Sequence, residues 1–223
     1  MSAAATARRG WAPPARPDPI DVYRDDGPLA RALGRLAGPA LPLRAAAVLA
    51  LASLPLLALA AFGGDDVSEP VAGAALAWAV LLAGATRGRP GRRTQRWMEP
   101  PLLRVIEFTA IIWLAALAGA EAYPAAFALL AALAFRHYDH VYRLRNRGET
   151  PASWVSLLSG GWEGRLIVLF ALLLAGELRT GMFAAAVVLG VAFVAESAAG
   201  WLRGPQAGAP PAGEHEDDGE GAA

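Results

Sequence analysis

In this chain of 223 residues, 55% are hydrophobic and only 18% charged, proportions displaced from those of a globular domain toward those of a membrane protein. Formal net charge is zero, with 20 acidic residues against 20 basic ones that are all arginine, so the overall sum hides any asymmetry between segments. Cysteine is absent, which excludes a disulfide framework and a thiolate metal site.

In chain order, residues 1–20 are proline-rich and lack an apolar core, so they predict a disordered segment rather than a signal peptide. Next, DDGPLARALGRLAGPA sets Leu29, Leu33 and Leu36 on one helical face beside arginines. It predicts a short amphipathic helix lying on the cytoplasmic membrane surface. Six apolar blocks follow, at 41–62, 71–86, 103–121, 122–136, 165–178 and 181–200. A bilayer core needs about 20 helical residues. The first, third and sixth blocks meet that length, and the shorter ones read as the other halves of hairpins. The expected fold is all-α, a polytopic membrane domain over 21–204 with six transmembrane helices in three hairpins. The Gly/Pro-rich acidic tail, 205–223, predicts disorder.

The arginines orient this arrangement. Seven precede or open the first block, and the connections 87–102 and 137–164 with their flanking turns carry most of the rest. GGDDVSEP, AEAYP and GELRTG hold one, Arg179. Nineteen of the twenty basic residues thus fall on one side of a six-span topology. Basic loops stay cytoplasmic, so both termini are expected in the cytoplasm of a multi-pass cell-membrane protein.

Ionisable residues in apolar spans are candidates for function because their burial is costly. Glu107 and Glu196 lie close to the cytoplasmic ends of the third and sixth spans. FRHYDHVYRLRNRG ends the fourth, and GGWEGR opens the fifth. The polar groups gather at one depth, near the cytoplasmic face, and none lies at the midplane where a transporter site is expected. Catalytic candidates are His137, Asp139, His140 and Glu107, with a His–Asp pair as general base. Arg104, Arg136, Arg143 and Arg165 are candidates for holding a phosphate or lipid headgroup, and Arg143 also reads as a positive-inside determinant touching anionic lipid. Arg104 and Glu107, one turn apart, also read as a structural pair. Glu99, His137, Asp139 and His140 are the weak candidates for a metal, with Mg²⁺ or Mn²⁺ as the cation.

Two stretches invite comparison with the CDP-alcohol phosphatidyltransferases, six-span enzymes whose signature D-x-x-D-G-x-x-A-R…G-x-x-x-D-x-x-x-D holds divalent metal. DDGPLAR matches part of it through Asp26, Gly27, Ala30 and Arg31, but Tyr23 stands at the first aspartate and the stretch precedes the first span; the match reads as coincidence. TQRWMEPPLLRVIEF is similar to the family's run into its third helix, with Glu99 at the third aspartate and Leu103 at the fourth. The string from YRDDGPLARALGRL to GWEGRLIV, covering most of 21–203, also resembles an uncharacterised bacterial membrane family associated with those transferases and with nucleotidyltransferases. The resemblance implies a non-catalytic or altered relative, or an accessory domain, in phospholipid-headgroup metabolism. Implied partners are the bilayer, anionic headgroups and a phosphatidyltransferase or nucleotidyltransferase. No nucleic acid is expected, and the Ala/Gly-rich spans are compatible with oligomers. The alternative is a membrane transferase acting on a phosphate-bearing amphiphile through His137, Asp139 and His140; a small transporter ranks third.

Overall fold

The computed structural model describes residues 19–37, 44–63, 67–87, 96–147 and 152–202. Within them the chain is all-helical, without strands. Two short helices, α1 (Pro19–Arg24) and α2 (Pro28–Ala37), precede α3 (Ala45–Phe62) and α4 (Glu69–Ala85). Then come α5 (Glu99–Ala118), a 3₁₀ turn (Ala120–Ala122), α6 (Tyr123–Arg147), α7 (Ser153–Leu158), α8 (Gly161–Leu174) and α9 (Leu178–Leu202). Each of the six apolar blocks is therefore helical over most of its described residues. The tail 205–223 and residues 1–18 lie outside the described residues, and α1 begins inside the segment expected to be disordered.

Four segments are long and apolar enough to cross a membrane: Ala45–Phe62, Glu99–Ala118, Trp154–Leu174 and Leu178–Leu202. Their outward faces are apolar as well. Leu51, Leu54 and Leu57 of α3 and Val187, Val191 and Val194 of α9 are exposed, as expected where the solvent is lipid. Of the other two expected spans, α4 is apolar but has 17 residues. The helix α6 is 25 residues long and polar in its last three turns.

Packing follows residue size. Small residues Ala72, Ala75, Ala79 and Ala83 let α4 approach α3, where Leu49, Ala52 and Leu56 are buried. Helix α3 also lies along α5, whose Leu103, Ile106, Ala110 and Leu114 form one buried stripe. The most extensive helix pair is α6 with α9. Sharp reversals need little chain: α8 stops where Gly176, at φ +73°, donates its N–H to Leu173 O and Glu177 donates to Leu172 O. That is a glycine-closed helix terminus, and α9 starts two residues later.

Two elements pack in ways that periodicity alone does not show. The helix at 28–37 is docked on protein through Ala30 and Gly34, which pack against α4 and α8, while Leu29 and Leu36 remain exposed. FRHYDHVYRLR, expected where the fourth span ends, continues α6 without a break. Its buried stripe simply changes chemistry, from Leu129 and Leu133 to Arg136, Asp139, His140 and Arg143, at the same helical spacing.

Candidate functional site: a buried ionic network at one end of the bundle

All of these polar residues meet at the end where α5 and α8 begin and where α4, α6 and α9 finish. The organising element is the loop Asp25–Gly27 between α1 and α2. Asp25 adopts φ +52°, a conformation that aspartate tolerates better than most residues. The turn sends neighbouring carboxylates to different partners.

The Asp25 carboxylate lies between two arginines from distant helices, Arg136 Nη2 at 3.2 Å and Arg165 Nη2 at 2.9 Å. Burial alone would raise its pKa. Arg165 and Arg136 outweigh that effect, so the carboxyl is held well below the usual range. Arg165 also reaches Glu107 Oε1 at 2.6 Å, and Glu107 pairs in turn with Arg104. Arg104 completes the circuit by donating to Arg24 O at 2.6 Å and to His137 Nε2 at 2.7 Å. Arginine can only donate, so His137 accepts at Nε2 and is the neutral Nδ1–H tautomer.

Asp26 points the other way. It receives Arg24 Nε at 2.8 Å, Arg87 Nη1 at 3.1 Å and the indole N–H of Trp162 at 2.9 Å. Arg24 continues to Glu99 at 2.7 Å and Thr86 Oγ1 at 3.1 Å. A third group joins α6 to α9: Arg143 grips Glu196 with two N–H groups and pairs with Asp139 at 2.6 Å, while Ser197 Oγ donates to Asp139 at 2.9 Å.

Gly27 precedes α2 and offers no side chain to cap it. Glu163 of α8 supplies the cap instead, accepting from Gly27 N and Ala30 N at 3.0 Å each. Beside it Trp162 N donates to Asp25 O at 3.1 Å. Thus DDG and GGWEG, 136 residues apart, are locked backbone to backbone.

The predicted residues therefore share one region but not one task. Arg104, Arg136, Arg143 and Arg165 are each ion-paired to carboxylates; Arg143 is buried against α9 instead of facing lipid headgroups. Arg104 and Glu107 form the expected pair, within a larger circuit. Glu99 is engaged by Arg24. The His–Asp base pair is not formed: Asp139 is held by Arg143 and Ser197, and neither ring nitrogen of buried His140 has a partner. Among the described residues, no three His, Asp or Glu side chains are grouped to hold a metal ion. Sequence reasoning missed Arg24, Asp25, Asp26 and Trp162. For Asp25 and Asp26 the signal was the partial signature match at DDG, set aside because Tyr23 stands at its first aspartate and it precedes the first span.

No curated protein and no solved structure matches the chain. A family model described as a family of unknown function matches residues 19–222, which include every element of the ionic network. The chain belongs to that family, DUF5941.

Proposed function

We propose that this protein is a six-span domain of the cell membrane, both termini cytoplasmic, serving as a non-catalytic or altered accessory relative of the CDP-alcohol phosphatidyltransferases. The observation that carries the reading is the commitment of the carboxylates. Asp25, Asp26, Glu99, Glu107 and Glu196 each face an arginine at salt-bridge distance. A divalent cation taking such a carboxylate would strand a buried guanidinium without counter-charge. Purified full-length protein supplied with CDP-diacylglycerol, an alcohol acceptor and Mg²⁺ or Mn²⁺ is expected to release no CMP above background. Metal-dependent CMP release would overturn the accessory reading.

The span count is tested separately, because a cysteine-free chain permits single-cysteine mapping. Glu121→Cys and Glu177→Cys are expected to react with an impermeant maleimide in intact cells. Arg35→Cys and Asn146→Cys should react only after permeabilisation. All four wild-type residues are exposed. Labelling of all four from outside would exclude the six-span topology.

A second reading, a transferase acting on a phosphate-bearing amphiphile at the same face, is favoured by one observation, the unpartnered imidazole of His140. It predicts that His140→Ala abolishes a turnover that wild type possesses. Equal turnover in the two would exclude it.

A further inference from the structure

We propose that the cavity between α1, the start of α5 and the last turns of α6 binds a phosphate ester. The cavity measures about 350 Å³, and its polar wall is Tyr23, Arg104, His137 and His140. Its other wall is apolar and includes Trp97, Pro101 and Val141.

His140 is the observation that requires a ligand. It is only 3% exposed, yet neither Nδ1 nor Nε2 meets a partner. A buried polar group left unpaired is costly, and such cases in a folded protein call for a specific explanation. Next to it, His137 accepts from Arg104 through Nε2, which leaves its Nδ1–H available as a donor. Arg104 has a further buried N–H, at Nε, without a partner. With the Tyr23 hydroxyl, the wall offers donors from three helices.

Charge favours an anion. Among the described residues, no carboxylate lines the cavity. Immediately behind it three guanidiniums, Arg104, Arg136 and Arg165, share two carboxylates, Asp25 and Glu107, leaving one positive charge in excess. The opposite excess, Asp139 and Glu196 on Arg143, belongs to the α9 side of α6. Donors converging from several directions suit the oxygens of a tetrahedral phosphate better than a planar carboxylate. The apolar wall suits the organic part of the ester. Two sources share this chemistry, a lipid headgroup and a free phosphate ester or ion; the lipid source rests on the membrane placement proposed above.

Full-length protein with isotope-labelled histidine rings, in phosphate-free dodecyl maltoside micelles, would be titrated with inorganic phosphate, dihexanoyl phosphatidic acid and phosphate-free dihexanoylglycerol. His215 is the remaining histidine and the internal reference, identified by H215Q. Saturable movement of the His137 and His140 resonances with a phosphate probe, and not with dihexanoylglycerol, is expected. Half-saturation by the phosphatidic acid at a concentration roughly tenfold below that of phosphate assigns the lipid source. Equal concentrations assign the free one. Tyr23→Phe, which keeps the ring and removes one hydroxyl, should weaken binding about fivefold. Still rings with both phosphate probes, or equal movement with dihexanoylglycerol, would overturn the proposal. CMP release by the same sample would sink the accessory reading and leave this binding result standing.

Discussion

Asp25→Asn is expected to destabilise the protein by about 3–5 kcal/mol, the range for breaking a buried ion pair by removing one partner. The substitution preserves volume, and asparagine accepts the left-handed conformation at φ +52° as readily as aspartate does. Only the charge changes. Arg136, 2% exposed at its side chain, would lose its carboxylate and keep Ser156 Oγ at 3.3 Å, while Arg165, 6% exposed, would be left to share Glu107 with Arg104. Asp21→Asn provides the contrast. Its pair with Arg96 at 3.0 Å is 41% exposed on the aspartate side, so a loss below about 1 kcal/mol is expected. Detergent unfolding curves of the two variants against wild type would measure both. A loss at Asp25 no larger than at Asp21 would mean that the network does not hold the fold together.

The same carboxylate gives the fold an acid limit. Its folded pKa is depressed, so its contribution is fully present above the ordinary value of 3.8 and is lost as pH falls below it toward the folded one. Wild type should therefore lose stability in that acid range, and Asp25→Asn should lose less there because the group is already gone.

Much of the framework was legible because it is local. Apolar runs predict helices without reference to tertiary partners, and all six runs are helical over most of their described residues. The common depth of Glu107, Glu196, His140 and Glu163 followed from their positions within those runs. Pairings were not legible in the same way. Asp25 and Arg165 are 140 residues apart, and no periodicity joins a loop before the first apolar block to the start of α8. One clue was present: the stripe Leu129, Leu133, Arg136, His140, Arg143 keeps helical spacing while its chemistry turns ionic. A helix simply leaving the membrane would have no need for polar residues in register with its buried face. That register marks a helix that goes on packing against protein.

Gly27→Ala is expected to cost at least about 3 kcal/mol, because the added methyl group has nowhere to go. A Cβ on Gly27 would lie 2.1 Å from Gly160 O and 2.5 Å from Glu163 Oε1. The first neighbour is backbone and cannot rotate away; the second is the carboxylate that caps α2. Gly161→Ala meets the same interface from the other side, with its Cβ 2.1 Å from Gly27 N, and it adds strain at φ +74°. Three residues further along α8, Gly164 has nothing within 4 Å of its Cβ position. There alanine should be neutral or stabilise the helix by up to about 1 kcal/mol. The double variant Gly27→Ala/Gly161→Ala should lose less than the sum of its parts, since one separation of DDG from GGWEG relieves both clashes. Thermal melts of the four variants would separate a clamp from a general intolerance of bulk. If Gly27→Ala melts with Gly164→Ala, the two motifs do not touch in the folded protein. If it falls far below, the glycines are what bring the Asp25 carboxylate between Arg136 and Arg165, and the ionic network depends on a backbone contact that no side chain could replace.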